Sequence, residues 1–170
     1  MSNNRHRAKE IYFYYACNHF FLDRDGDSDE YKSFSVTARE EQEWRKEYIE
    51  IWINKLSVDD LHPIDRLRDA GVNEALPVMI KMADKGDSFS KLWFANAMYD
   101  MARWMIFSPI LRFRAMSKAK NLWKQLSQNS IELTEAHRKE ITRGTMRALS
   151  AADAEEYIRN YARRKLEEIR

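Results

Sequence analysis

The stretch Asn73–Trp104, NEALPVMIKMADKGDSFSKLWFANAMYDMARW, decides the fold class, because its apolar residues recur at three- and four-residue steps on both sides of a short turn. That spacing predicts two amphipathic helices joined by a four-residue connection. Asn73 is expected to cap the first. Pro77 falls near its first turn, where only about one backbone hydrogen bond is lost. Gly86 is expected to end that helix and Asp87 or Ser88 to cap its successor, where Ala95, Ala97 and Ala102 let a neighbouring helix approach closely.

Working outward, the same grammar recurs. Ala8 to Leu22 predicts a helix apolar on two sides, with Ala8, Ile11, Tyr12, Tyr15, Ala16, His19 and Leu22 on one and Phe13, Cys17, Phe20 and Phe21 on the other. Such a helix is expected inside the core. Asp23 to Ser35 breaks the pattern with a glycine and an acidic run. Thr37 and Glu40 have the spacing of a capping box, and Trp44, Tyr48, Ile51, Trp52 and Leu56 form a wide apolar face behind them. Ser57 and Asp60 mark a short helix containing Pro63 and ended by Gly71. Ser108-Pro109 opens a helix to about Leu126, and Thr134–Leu149 and Ser150–Ile169 complete eight predicted helices, although Gly144 weakens the seventh.

Composition agrees with an all-α chain. One domain over residues 1–170 is expected from the length, and four Gly and three Pro are too few for the turns of a sandwich or barrel. Hydrophobic residues at 44% and charged residues at 33% exclude disorder. Cys17 is the single cysteine, which excludes an intramolecular disulfide and a thiolate metal cluster. With no apolar run of membrane length and no secretory pattern in MSNNRHRAKEIYFYY, the sequence predicts a cytoplasmic chain without membrane contact.

Two groups of residues carry candidate sites. Asp23, Asp25 and Asp27 alternate around Gly26 as in the first half of an EF-hand loop, which makes them candidate metal ligands. The pattern then departs from that loop: counted from Asp23, the sixth, eighth and twelfth positions are Ser28, Glu30 and Phe34, so the bidentate glutamate is missing. A solvated acidic turn pairing with nearby Arg and Lys is the competing reading. The second group is basic. Pro109–Ser130 holds Arg112, Arg114, Lys118, Lys120 and Lys124 and no acidic residue, opposite a stripe of Leu111, Ala115, Ala119, Leu122 and Leu126. Residues 1–108 carry 15 basic and 19 acidic side chains, and residues 109–170 carry 14 and 8. Two such halves can attract each other, or the basic one can engage an acidic partner.

Catalytic patterns are thin. Ser88-x-x-Lys91 has the spacing of a serine acylase motif but falls at a helix start, where Ser caps and Lys is exposed. Asp59-x-x-His62 and His137-x-x-Glu140 do not form the paired set of a di-iron bundle, and His6, His19, His62 and His137 follow no ligand spacing. Four isolated glycines exclude a P-loop or Rossmann turn.

Within the opening stretch, Ala75-Leu76-Pro77, Ile80 and Ala83-Asp84, followed by Lys91-x-x-x-Ala95-x-Ala97-Met98-x-x-Met101, resemble one HEAT repeat. The N-terminal aromatic helix with CNHFFLDRDGDSDEYKSF is similar to the openings of small bacterial helical-repeat proteins that carry no known activity. The resemblance implies helix pairs stacked as an α-α superhelix, with an irregular helical bundle as the alternative, and no cofactor. It also implies a non-enzymatic interaction module of the adaptor or immunity kind. Arg112, Lys120, Lys124 and Arg163 are the residues expected to meet another protein. The alternative partner is a nucleic-acid backbone, gripped by the basic helix together with Arg159, Arg163, Arg164 and Lys165.

Overall fold

Thr37 begins the helix that sequence placed best. Its hydroxyl accepts the Glu40 N–H while the Glu40 carboxylate accepts the Thr37 N–H, the full reciprocal box. In the computed structural model, which describes residues 3–104, 108–144 and 151–169, the chain forms ten α-helices and no strand among the described residues. They are α1 (Asn3–Tyr14), α2 (His19–Arg24), α3 (Ser28–Ser33), α4 (Ala38–Asn54) and α5 (His62–Asp69), then α6 (Leu76–Met82), α7 (Ser88–Trp104), α8 (Pro109–Gln128), α9 (Glu135–Gly144) and α10 (Ala151–Glu168). The fold is all-α, as the periodicity predicts.

One contiguous core runs from Ala8 on α1 to Ala162 on α10. Its centre is α7, which packs along α8, while α8 in turn packs along α10. Ala95, Ala97 and Ala102 are fully buried on α7, and Ala115 and Ala119 on α8, so the close approach expected of small residues is realised. Trp123, outside the stripe read from sequence, is also fully buried, and its indole N–H donates to Asn96 Oδ1 at 3.2 Å. Burying a large apolar side chain is worth about 1.5–3 kcal/mol, against roughly 0–1 kcal/mol for an exposed ion pair, so this α7–α8–α10 layer dominates stability.

The predicted helix over 8–22 is broken. Ala16 and Cys17 adopt left-handed φ of 53° and 54°, a conformation costing roughly 1–2 kcal/mol per non-glycine residue. The chain is held there from outside. Arg45 donates to the carbonyls of Cys17 (3.4 Å) and Ala70 (2.8 Å), and Asn18 Nδ2 donates to the Asp69 carbonyl at 2.9 Å. Arg66 donates to the carbonyls of Phe13 and Tyr14. Both predicted sides still contribute to the core, through Ala8, Ile11, Tyr12, Tyr15, Ala16 and Leu22 on one and buried Cys17 with partly buried Phe13 and Phe21 on the other, while His19 and Phe20 are exposed.

Other boundaries shift for local reasons. Asn73 opens a single 3-10 turn over Asn73–Ala75, and its Oδ1 is buried without a partner instead of capping. The helix expected to reach Gly86 ends at Met82. Gly86 serves closeness: a Cβ there would lie 2.4 Å from Ser90 Cβ and 3.1 Å from Val58 Cβ. Asp87, not Ser88, caps α7, its Oδ1 accepting the Ser90 N–H at 2.9 Å. Residues 145–149 of the seventh predicted helix and the Ser150 cap lie outside the described residues.

Candidate functional site

Lys120 and Lys124 stand one turn apart on α8, and the packing of α10 against that helix brings Arg163 beside them. The three line one open groove of about 480 Å³, floored by Leu166 and Ile169, with Glu167 as its acidic member. All three cations are exposed. Among the described residues neither lysine ammonium has a hydrogen bond or ion pair, and the Arg163 guanidinium has only a 3.5 Å bond to Asn160 Oδ1 on its own helix. Three cations against one carboxylate, beside the apolar Leu166 and Ile169, give this groove a positive field.

The remaining basic residues are distributed differently. Arg112 is exposed on α8 two turns before Lys120 and does not line the groove, and Lys118 pairs with Asp84 in the turn after α6. On α10, Arg159 donates to the Asn129 carbonyl at 3.3 Å, while Arg164 and Lys165 pair with Glu168 at 3.7 and 2.8 Å. Sequence missed Leu166 and Ile169; their three-residue spacing near the end of α10 was the available signal.

The acidic stretch is mostly helix termini. Asp23 lies in α2, Asp25 follows it, and Asp27 precedes α3, with Gly26 between them at φ 89°. Each carboxylate faces a different partner. Asp25 forms a two-pronged pair with Arg24 at 2.6 and 3.0 Å, which holds its carboxyl below the usual range. Asp27 accepts the Tyr15 hydroxyl at 2.6 Å, and Asp23 lies 4.0 Å from Lys32. Among the described residues no group of three or more His, Cys, Asp or Glu could hold a metal ion.

The most connected polar cluster was not legible as such. Asp87 Oδ2 accepts from His137 Nδ1 and from the Thr134 N–H, both at 2.8 Å, and Ser88 exchanges two hydrogen bonds with the backbone of Glu132. Burial opposes the Asp87 charge, but these bonds outweigh it and lower its pKa. Ser90, Asp87 and His137 are the residue types of a hydrolase triad. Their arrangement differs: Ser90 Oγ donates to the Val58 carbonyl at 2.6 Å and lies 3.0 Å from Asp87 Oδ1, with both Ser90 and His137 buried. The cluster straps the start of α7 to the segment before α9. The Ser88 hydroxyl of Ser88-x-x-Lys91 is consumed in that strap, and His137 pairs with Asp87 instead of Glu140. His19 is a boundary residue, pairing with Glu41 and packing against the rings of Tyr12 and Tyr31. Burial pushes the Cys17 thiol up to about 12, which leaves it protonated and unreactive at neutral pH.

Comparisons with protein-family models, with characterised proteins and with solved structures find no match to this chain. Among the described residues, no helix is long and apolar enough to cross a membrane.

Proposed function

We propose that this chain is a non-enzymatic protein-interaction module, of the adaptor or immunity kind, that receives an acidic segment of a partner protein in the α8–α10 groove. The observation that carries the reading is the convergence of Lys120, Lys124 and Arg163, largely unneutralised, over Leu166 and Ile169. An apolar floor inside a basic rim suits a partner that offers both carboxylates and buried apolar area. The α6–α7 pair, with its HEAT-like order of residues, is on this reading one unit of a stacked helical scaffold that holds the groove rigid. A cytoplasmic setting goes with it.

Nucleic acid is the competing partner. The C-terminal basic residues support it poorly, because Arg159, Arg164 and Lys165 are engaged within the fold. The test is affinity capture from source lysate with the wild-type chain and with a Lys120→Glu, Lys124→Glu, Arg163→Glu variant, with and without nuclease. One protein retained by the wild type after nuclease, and lost with the variant, is the expected result. Equal retention by both chains overturns the assignment of the groove; loss of all binding on nuclease treatment transfers the function to nucleic acid.

A further inference from the structure

A second, smaller cavity lies on the seam of α5, α7 and α10, away from the basic groove. Its volume is about 230 Å³, and its walls carry Arg68 from α5, Phe89, Leu92, Trp93, Asn96 and Asp100 from α7, and Tyr157 and Tyr161 from α10. The aromatic rings come as two neighbouring pairs: Phe89 and Trp93 with centroids 5.3 Å apart, and Tyr157 and Tyr161 at 6.1 Å. Trp93 is fixed by its indole N–H, which donates to Asp65 Oδ1 at 3.2 Å. Tyr157 is 42% exposed although it is a large aromatic side chain.

Asp100 is half-buried and, among the described residues, has no hydrogen bond or ion pair. Every cation near it is engaged elsewhere. Arg68 pairs with Asp65 at 3.0 Å and Asp69 at 3.3 Å, Lys165 with Glu168, and Arg103 lies over the Trp104 ring at 5.0 Å. Burial raises the Asp100 pKa above the ordinary carboxylate value, and the charges of Arg68 on the same wall and of Lys165 and Arg103 only partly oppose that. The cavity thus combines several aromatic rings with a carboxylate that is only partly compensated, because the one cation on its wall, Arg68, is shared with Asp65 and Asp69.

We propose that this cavity binds a small quaternary alkylammonium cation, seated against the aromatic rings with Asp100 as its counter-ion. The volume lies below the roughly 300–1,000 Å³ of sites for drug-sized ligands, so the occupant is small. Ring faces attract a cation, and a carboxylate in a partly desolvated site strengthens the attraction. An anion would meet Asp100, and a neutral apolar molecule would leave the carboxylate still less solvated. A primary ammonium wants acceptors besides Asp100, and Asn96 Oδ1, the amide oxygen on this wall, is already partly used by the Trp123 indole. A quaternary ammonium needs none. Tyr161 already has Arg164 and Lys165 at 4.9 and 5.8 Å from its ring centroid, so the ring contacts left for a bound cation are chiefly those of Trp93 and Tyr157.

The test is calorimetric titration of the full chain with choline and, in parallel, with its uncharged carbon analogue 3,3-dimethylbutan-1-ol. Saturable binding of choline, with the alcohol at least about tenfold weaker, is the expected result. Asp100→Asn, which preserves side-chain shape, and Tyr157→Ala, at a partly exposed position, should each weaken choline at least about tenfold while thermal melts show both variants folded. Equal affinity for the alcohol, unchanged affinity in Asp100→Asn, or no saturable choline binding up to about 50 mM overturns the proposal.

Discussion

Asp87 and Asp100, at the start and within α7, are carboxylates that the fold treats in opposite ways. Asp87 is held ionised by N–H donors, so its pKa falls below the ordinary 3.8. The stability it contributes is fully present above about pH 4 and is lost as pH falls through its lower folded value. Asp100 is raised by burial, so its ionised form opposes folding at neutral pH, and that cost vanishes as pH falls below the ordinary 3.8. Asp87→Asn is therefore expected to destabilise by about 1–3 kcal/mol at pH 7 and to flatten the acid limb of the stability curve. Asp100→Asn should instead stabilise at pH 7, by on the order of 0.5–1 kcal/mol, with the gain fading toward pH 3. Thermal melts of both variants across that range distinguish the two signs; a destabilised Asp100→Asn at pH 7 would mean that the carboxylate has a stabilising partner. A residue that costs stability in the free protein and lines a cavity is the kind a ligand would compensate.

Between elements, the turn joining α1 to α2 depends on side chains far away in sequence. Arg45 on α4 reaches the carbonyls of Cys17 and Ala70 together, so one guanidinium ties α4 to the left-handed turn and to the end of α5. Arg45→Met should cost about 2–3 kcal/mol, because the carbonyls lose a charged donor and the strained φ values lose their support. Arg45→Lys should recover less than half, since one ammonium cannot span both acceptors as the planar fork does. Urea denaturation of the pair measures this, and full rescue by Lys would assign the effect to charge alone. The same turn shows what was hidden in the sequence. Thr37 with Glu40, Ser108-Pro109 and Gly71 announce boundaries because a cap or a φ preference acts within a few residues. Ala16 and Cys17 have no such preference; Asn18 caps α2 locally by accepting the Phe20 N–H, but the left-handed turn before it is held across the fold by Arg45 and Arg66. The basic site was half legible for the same reason. Helical spacing puts Lys120 near Lys124, but only the packing of α10 brings in Arg163, and the aromatic cavity needs α5, α7 and α10 at once.

At the scale of the whole molecule, the acidic N-terminal and basic C-terminal parts raise the question of whether charge holds the halves together. Arg5–Glu40, Arg7–Glu30 and Arg68–Asp65 close within the N-terminal part, Arg164–Glu168 and Lys165–Glu168 close within α10, and Lys118–Asp84 and the buried Asp87–His137 pair cross between the parts. Lys120 and Lys124 face solvent, while the α7–α8 seam beneath them is apolar. Association of the halves therefore rests mainly on burial and on the buried Asp87 strap, which salt screens little. A Lys120→Glu, Lys124→Glu double variant should keep its unfolding free energy within about 0.5 kcal/mol of the wild type. Its melting temperature should change little between about 50 mM and about 500 mM sodium chloride, where the Debye length falls severalfold. If the basic helix instead neutralised the acidic part, the double reversal would cost more than about 2 kcal/mol and salt would partly restore it. Insensitivity of folding to both changes would leave the two lysines with no structural task, and their charge free to act on a partner.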